Sequence, residues 1–258
     1  DLVIHAAALK HVSAAEYNPI EFIKTNVIGA ENLVNACIFA GVSKVIALST
    51  DKAAAPTNLY GASKLCSDKL FIAANNIKGS KNISFSVVRY GNVIGSRGSV
   101  VPLFLEMAKS GTLSINHPEM TRFNITLEKG VLMVLWALNN CMGGEILVPK
   151  IPSFRIMDLA NAIGPSCKKI ITGRKIGEKI HEEMITPSDS FNTFDLGKYF
   201  CIVNEPEKYN SYYEKNNFLF KKVKENFSYN SLDNEPFMSI EDLRDCIIKN
   251  VNKSFQPI

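Results

Sequence analysis

The stretch KVIALST (44–50), YGASKLCSDKLFIAA (60–74) and FSVVRY (85–90) alternates between two kinds of hydrophobic pattern. The first and last segments are short apolar runs, which predict buried strands. The middle segment has apolar residues at helical spacing, which places them on one stripe of a helix: Leu65, Leu70 and Ala73. A strand, a helix and a second strand in this order predict a parallel sheet with a helical crossover.

The same alternation continues on both sides of this stretch. Upstream, Leu2 to Ile4 is a short apolar run, and apolar residues at helical spacing from Ile20 to Ala40 predict a helix that ends at Gly41. Downstream we expect a helix at 128–141, a strand at 145–148, a helix at 156–163 and a capped final helix after Ser239. The pattern therefore predicts an α/β fold, a doubly wound parallel sheet of the Rossmann type, with a smaller mixed α/β lobe.

A change of rhythm after Gly111 predicts the domain organisation. Residues 1–112 are expected to belong to the Rossmann-like domain, and residues 113–258 mainly to the second lobe. Segments near 144–164 are expected to return to the first domain. Residues 204–231 are rich in Asn, Lys, Glu and Tyr without clear periodicity, which is typical of surface excursions.

Composition excludes several classes of protein. The 258 residues are 46% hydrophobic and 21% charged, which is enough material for a large core. The net charge of +4 is scattered, so we expect no nucleic-acid partner. No run approaches the roughly 18 uncharged apolar residues of a membrane span. The six cysteines have no paired CxxC spacing, so we expect reduced thiols, no metal site and a cytoplasmic protein.

The segment STDKAAAPTNLYGASK (49–64) carries the chemistry. Tyr60 and Lys64 are one helical turn apart, so the Lys64 ammonium can lie beside the Tyr60 phenol. A nearby positive charge favours the phenolate, which turns a tyrosine into a base. From this spacing alone, an exposed aromatic with an ordinary surface lysine is an open alternative.

Six blocks in order carry a family resemblance: AALKHV (7–12), STDKAA (49–54), NLYGASKLCSDKLF (58–71), VRYGNVIGSRGSVVPLF (88–104), MTRF (120–123) and GEKIHE (177–182). Together they resemble the inverting UDP-N-acetylglucosamine 4,6-dehydratases of the pseudaminic acid pathway, which are extended short-chain dehydrogenase/reductases. The match runs from Asp1 to about Ile185. The resemblance implies an NADP-dependent hydro-lyase, with 1–112 as the NADP-binding domain and 113–258 mainly as the nucleotide-sugar lobe.

The resemblance also implies catalytic roles. Thr50 and Tyr60 orient and deprotonate the sugar 4-hydroxyl, and Lys64 holds the nicotinamide ribose and tunes Tyr60. Lys52 is the expected base for the proton on carbon 5, and Asp51 the acid that helps the carbon-6 hydroxyl leave as water. The base must be neutral and the acid protonated, the reverse of their states in water. A structural ion pair at a strand end is the alternative for Asp51 and Lys52.

Further contacts are implied by the same resemblance. The expected cofactor contacts, besides Tyr60 and Lys64, are Ala7, Ala8, Lys10, Asn26, Tyr90 and Val93. The expected contacts to the substrate, UDP-N-acetylglucosamine, are Lys10, Asn92, Ser96, Arg97, Ser99, Arg122, Lys175 and Glu178. For Arg122 a surface ion pair is an open alternative, since guanidinium suits carboxylates and phosphates alike. The family commonly assembles as homo-hexamers, so a homo-oligomer is expected.

The sequence departs from the family in several places. No glycine-rich turn that would bind a dinucleotide pyrophosphate is found, so we expect about 80 residues, two to three βα units of about 30 each, to precede Asp1 in the native protein. Ala55 stands where the family usually has Asn, Asn124 where it has Trp, His117 where it often has Asp, and Lys175 where it has Arg. We expect these changes to affect substrate affinity more than chemistry.

Three other functions are left open. A retaining 4,6-dehydratase usually has Met at the position of Tyr60, and a nucleotide-sugar 4-epimerase lacks the pair formed by Asp51 and Lys52. The third alternative is a non-catalytic nucleotide-sugar-binding remnant, which the missing glycine-rich turn favours and the retained Tyr60 and Lys64 oppose.

Overall fold

The computed structural model describes all 258 residues. The strands are β1 (Leu2–His5), β2 (Lys44–Thr50), β3 (Ser84–Tyr90), β4 (Asn92–Val93), β5 (Thr112–Ile115), β6 (Thr121–Ile125), β7 (Ile146–Pro149), β8 (Ser153–Arg155), β9 (Lys168–Ile171), β10 (Glu183–Ile185), β11 (Thr193–Asp195), β12 (Tyr199–Ile202), β13 (Lys221–Lys222) and β14 (Tyr229–Asn230). The α-helices are α1 (Val12–Tyr17), α2 (Pro19–Phe22), α3 (Gly29–Ala40), α4 (Leu59–Ile77), α5 (Val100–Ala108), α6 (Leu127–Asn140), α7 (Ile156–Ile163), α8 (Pro206–Lys215) and α9 (Ile240–Asn250). A π-helical turn spans Ile23–Ile28, and 3₁₀ turns span Asp51–Ala53 and Asp189–Asn192.

The central sheet has seven strands in the order β1, β2, β3, β7, β12, β11, β13. The first four are parallel, and the last three continue the sheet in antiparallel fashion. The predicted α/β fold with a parallel sheet is confirmed. The antiparallel strands were not predicted from the sequence, because they are short and carry little hydrophobic periodicity of their own.

The chain divides into two compact units. The first comprises residues 1–90, 131–150 and 183–229 and contains the seven-stranded sheet, with a core that includes Ile46 and Leu147. The second comprises residues 91–130, 151–182 and 230–258 and contains the sheet β4–β6–β8 and the pair β5–β9. The functional division near residue 112 stays a prediction.

The segment expected to be one helix from Ile20 to Ala40 is interrupted. The π-helical turn lies between α2 and α3, and it contains Asn26, which is only 1% exposed. Such turns insert an extra residue into the helix and are frequent at functional sites. The predicted stop at Gly41 is confirmed, since this residue has φ of 70°.

The buried face of α4 differs from the expected apolar stripe. The predicted helix is confirmed, but Leu65 and Leu70 are only half-buried and Ala73 is exposed, so their stripe is not the face that α4 buries. The residues that α4 buries are largely polar or small: Tyr60, Gly61, Ser63, Lys64, Ser67, Asp68, Phe71 and Ala74. The helix therefore presents a largely polar face to the strands β2 and β3.

Residues 204–231 contain a helix that the sequence pattern did not predict. In α8, Tyr209 and Tyr213 are buried one turn apart, and the Tyr209 hydroxyl donates a hydrogen bond to the Gly143 carbonyl oxygen at 2.7 Å. The prediction of surface excursions is therefore wrong for this helix, because two tyrosines in a polar sequence supply its whole apolar face. The capped start of α9 is confirmed by a capping box between Ser239 and Asp242.

All six cysteines are free thiols. None of the helices combines the length and the continuous apolar character that a bilayer crossing requires.

Candidate active site

The end of β2 places two opposite charges side by side. After Thr50 the chain enters the 3₁₀ turn that carries Asp51 and Lys52. The Asp51 carboxylate is fully buried, and its Oδ1 accepts hydrogen bonds from Thr50 Oγ1 at 2.9 Å and from Lys52 Nζ at 3.0 Å. The Lys52 side chain is 21% exposed, so the buried carboxylate is paired with an ammonium that solvent can reach.

The start of α4 is pressed against this turn. Asn58 caps the helix by accepting a hydrogen bond from the Gly61 amide at 2.8 Å. A Cβ on Gly61 would lie 2.3 Å from the Lys52 carbonyl oxygen, so only glycine permits this approach. Tyr60, the residue before Gly61, lies beside Thr50 at the end of β2. Its phenol forms a hydrogen bond with the Thr50 hydroxyl.

The groups around Tyr60 shift its pKa in both directions. Burial raises the pKa of the phenol most strongly, the Lys52 ammonium and the Thr50 hydroxyl lower it, and the charges of Asp51 and Asp68 raise it further. Burial, with a smaller effect of Tyr60, also raises the pKa of the neighbouring Tyr90 to about 12. The cation that lowers the pKa of Tyr60 is therefore Lys52, and the tuning of Tyr60 by Lys64 stays a prediction.

Lys64 is buried at 3% exposure on the same face of α4. Its Nζ donates a hydrogen bond to the Leu48 carbonyl oxygen at 2.9 Å. Burial lowers the pKa of Lys64, and the charge of Asp68 raises it. Ser49 and Arg89 in turn hydrogen-bond to Asp68, at 2.7 Å and 3.3 Å. Sequence reasoning missed Asp68, although a charged residue one turn after Lys64 is a usable signal.

The loop after β1 is fastened by Asn26. The Asn26 side chain accepts a hydrogen bond from the Leu9 amide at 2.8 Å and donates to the Leu9 carbonyl oxygen at 2.9 Å and to Ser63 Oγ at 3.0 Å. The expected cofactor contacts of this loop, Ala7, Ala8 and Lys10, are all exposed. Asn26 thus has a defined role in fixing the loop, and its contact with a cofactor stays a prediction.

In the second unit, the expected substrate contacts of residues 92–99 lie on β4 and the turns that follow. Asn92 pairs with Asn124 of β6 in register, and Val93 is the next residue of the strand. Gly95 and Gly98 have φ of 71° and 72°, which requires glycine, and they bracket Ser96 and Arg97. Ser99 precedes α5. The turns leave Arg97 exposed.

The Arg122 side chain hydrogen-bonds to backbone carbonyl oxygens. Its guanidinium donates hydrogen bonds to the carbonyl oxygens of Thr121 at 2.7 Å, Ile180 at 2.8 Å and Lys179 at 3.1 Å. It also lies 3.6 Å from the Glu182 carboxylate. Arg122 therefore orders the GEKIHE segment, and its contact with a diphosphate stays a prediction.

The two remaining expected substrate contacts belong to one loop. The Glu178 carboxylate accepts hydrogen bonds from Asn116 Nδ2, with both oxygens at 2.8 Å, and from the Lys175 amide at 3.1 Å. The Lys175 residue is exposed. Glu178 thus links its own loop, through the Lys175 amide, to Asn116.

Two of the departures from the family pattern have structural consequences. Ala55 has φ of 42°, a left-handed conformation that Asn adopts more easily than Ala. Asn124 is buried, and its Nδ2 lies 3.2 Å from the Met238 sulfur, a weak acceptor.

The structure brings together all five residues of the expected catalytic set, which lie in the first unit: Thr50, Asp51, Lys52, Tyr60 and Lys64. Tyr90 lies close to Tyr60 in the same unit. The expected sugar and diphosphate contacts from Asn92 to Glu178 lie within the second unit.

Comparison with known proteins places this geometry in a family. The model of the family described as polysaccharide biosynthesis protein matches residues 1–204. A Campylobacter jejuni protein named UDP-N-acetylglucosamine 4,6-dehydratase (inverting) is 51% identical over 257 residues, covering 96% of this chain and 76% of its own length. The chain belongs to this family. The predicted family resemblance is thereby confirmed.

Two other proteins that this chain resembles carry different names. A Rickettsia canadensis protein named UDP-glucose 4-epimerase is 44% identical over 207 residues, covering 78% of this chain and 61% of its own length. The X-ray structure of Pen from Bacillus thuringiensis superimposes with a TM-score of 0.86 at 36% identity, covering 96% of this chain and 74% of that one. The family thus includes proteins with different names on one fold.

Proposed function

We propose that this protein is a UDP-N-acetylglucosamine 4,6-dehydratase that inverts carbon 5 and depends on a nicotinamide cofactor, specifically NADP. The observation that carries the proposal is the contact of Asp51 with Lys52, next to a buried Tyr60. An epimerase needs only a base for the 4-hydroxyl, whereas elimination of water needs a second base and an acid. The 51% identity to a protein named for this reaction supports the same choice.

The first half of the reaction is oxidation at carbon 4. Tyr60, as phenolate, takes the proton of the sugar 4-hydroxyl while Thr50 orders the phenol through their hydrogen bond. The Lys52 ammonium stabilises the phenolate, because it lowers the pKa of Tyr60. A nicotinamide held here would supply a hydride acceptor for carbon 4 and a hydride donor for carbon 6.

The residues present fit the nicotinamide half of such a cofactor. Ala7 and Ala8 are small and exposed, so the backbone after β1 is open to a planar ring. The Lys64 ammonium donates one of its three hydrogens to the Leu48 carbonyl oxygen, which leaves donors for a ribose hydroxyl. We propose that Lys64 and Tyr60 hold the nicotinamide ribose.

The second half of the reaction is elimination across carbons 5 and 6. A proton moves from Lys52 Nζ to Asp51 Oδ1 across their 3.0 Å hydrogen bond, which turns the ion pair into a neutral amine and a carboxylic acid. A water-excluding site favours the neutral pair. The amine then takes the proton of carbon 5, the acid gives its proton to the carbon-6 hydroxyl, and water leaves. Both residues end the elimination in their starting charge states. Return of the hydride to carbon 6 leaves an enolate, which takes up a proton at carbon 5 on the opposite face and so inverts that carbon. This proton balances the one that Tyr60 removed from the 4-hydroxyl.

The test separates the two halves of the reaction. Tyr60→Phe is expected to abolish reduction of NADP in a single turnover with UDP-N-acetylglucosamine, because the base for the 4-hydroxyl is gone. Lys52→Ala is expected to retain oxidation while slowing deuterium exchange at carbon 5 in heavy water. Matched controls are Tyr17→Phe, at a tyrosine that is 85% exposed, and Lys24→Ala, at a lysine in a surface ion pair.

The product decides between the dehydratase and its rivals. We expect a 4-keto-6-deoxy sugar with the L-arabino configuration. A D-xylo product from the first moments contradicts inversion and favours the retaining dehydratases. A 4-epimeric sugar that retains its 6-hydroxyl favours an epimerase, and binding of the UDP-sugar with no response to NADP favours a non-catalytic remnant. The homo-hexameric assembly and the cytoplasmic location stay predictions.

A further inference from the structure

Lys64 and Asp68 occupy successive turns on the buried face of α4. Lys64 is 3% exposed and Asp68 is 1% exposed. Side chains four residues apart on a helix are neighbours. A buried ammonium is costly unless an opposite charge compensates it. Asp68 is placed to provide that charge.

Two strands of the central sheet fix the Asp68 carboxylate. Its Oδ2 accepts hydrogen bonds from Ser49 Oγ on β2 at 2.7 Å and from the Arg89 guanidinium on β3 at 3.3 Å. Ser49 and Arg89 are register partners in the parallel pair. Arg89 is itself held by the Met184 carbonyl oxygen at 3.1 Å. The carboxylate therefore has a defined position relative to the end of β2.

We propose that Asp68 is a positioning residue for Lys64: its carboxylate, held by Arg89 and Ser49, keeps the buried Lys64 side chain protonated and directed at the Leu48 carbonyl. The effect on catalysis rests on the proposed function of Lys64. The effect on the charge of Lys64 does not.

The charged groups around Lys64 agree with this assignment. Burial lowers the pKa of Lys64, and Asp68 is the charge that opposes the change. Burial raises the pKa of Asp68, and Arg89 opposes that change most strongly. From β1, His5 faces Lys64, whose charge helps to lower the pKa of the imidazole. Tyr60 lies one turn earlier on α4. In its protonated form the phenol is neutral, so Asp68 is the negative charge that acts on Lys64.

The experiment measures the ionisation of Lys64 directly. The protein is labelled with ¹³C-lysine, and the Lys64 signal, identified by its loss in Lys64→Met, is titrated by NMR. In Asp68→Asn, the midpoint is expected to fall by about one pH unit or more, because the negative charge that opposes the effect of burial on Lys64 is removed. Asp68→Glu is expected to restore most of the shift. Asp158→Asn, at a half-buried aspartate on α7, is the matched control and is expected to leave the Lys64 signal unchanged.

A structural role and a charge-setting role give different results. If Asp68 only stabilises the fold, Asp68→Asn lowers the melting temperature and leaves the Lys64 midpoint in place, which overturns the proposal. If Asp68→Asn does not fold, Ser49→Ala replaces it. That variant weakens the hold on the carboxylate, so a smaller fall of the midpoint is expected and an unchanged midpoint overturns the proposal.

The activity profile adds a second readout. In an active enzyme, the alkaline limb of the rate against pH is expected to move to lower pH in Asp68→Asn, by the same amount as the NMR midpoint. If the wild-type protein shows no dehydratase activity, the proposed function fails, and the NMR titration still decides the role of Asp68. If the wild-type protein is active and the midpoint is unchanged, only the role of Asp68 is overturned.

Discussion

Replacing Gly61 by alanine tests the contact on which the site geometry depends. Helix propensity alone favours the substitution by about 1 kcal/mol, since Gly61 lies inside α4. The structure predicts the opposite outcome. The new Cβ would lie 2.3 Å from the Lys52 carbonyl oxygen and 3.0 Å from Pro56 Cβ. The first of these atoms is backbone, so no side-chain rotation relieves the overlap.

The magnitude follows from the distances. Ordinary van der Waals contact begins at 3.4 Å, so the turn that carries Lys52 must move by about 1.1 Å relative to α4. Overpacking of this kind costs about 1 to 3 kcal/mol, which equals or exceeds the gain in propensity. A displacement of about 1 Å in a catalytic group lowers the rate about 100-fold. Because Tyr60 is adjacent to Gly61, the displacement separates the phenol from the Thr50 hydroxyl.

The assay compares two glycine variants. Gly130 lies in α6, and a Cβ there meets no atom within 4 Å, so Gly130→Ala is the matched control. We expect Gly130→Ala to raise the free energy of unfolding by up to about 1 kcal/mol, with an unchanged rate. Gly61→Ala is expected to gain no stability and to lose about 100-fold in kcat for UDP-N-acetylglucosamine. Equal stabilisation of both variants, with full activity in both, refutes the close approach of α4 to the catalytic turn.

Three further predictions concern the surroundings of the site. Asn26→Ala is expected to lower the free energy of unfolding by about 1 to 3 kcal/mol, because the Leu9 amide and carbonyl lose their partner; urea unfolding measures the loss, and a wild-type midpoint contradicts the role. Ala55→Asn is expected to raise stability by up to about 1 kcal/mol, since Asn tolerates φ of 42° better than Ala; thermal unfolding checks the sign. Burial lowers the pKa of His5 below the usual histidine value of 6.5, so the unfolded chain binds the proton more readily, and stability is expected to fall as the pH drops below 6.5. His5→Gln should reduce the difference in urea midpoint between pH 7.5 and 5.5, and an unchanged difference assigns the effect to other groups.

The local elements of the fold were predictable because their hydrophobic patterns are strong. The strand predicted at Lys44–Thr50 and the helix predicted at Ile156–Ile163 have those bounds in the structure. The antiparallel strands β11 and β13 and the helix α8 were not predictable in the same way. They have few residues, and their apolar contacts include long-range ring contacts, such as the stacking of Phe194 on Phe220 with ring centroids 4.2 Å apart.

The catalytic residues were predictable because they lie close together in the sequence. Residues 50–64 contain the end of a strand, a turn and the first turns of a helix, so local geometry brings them into contact. The residues that support them were not predictable from spacing. Arg89 on β3 hydrogen-bonds to Asp68 across the pairing of β3 with β2, and Asn26, in the π-helical turn, hydrogen-bonds to Leu9, which is 17 residues away in the sequence.

The face that α4 buries carries information about function. A helix packed against a sheet normally buries an apolar stripe, and Leu65 and Leu70 supplied a candidate stripe. The structure instead buries Lys64 and Asp68, whose charges are stabilised by Arg89 and by backbone. Replacing such a buried network by apolar residues is often neutral or favourable for stability. Its presence therefore requires an explanation other than stability, and the chemistry proposed for Tyr60 and Lys64 provides one.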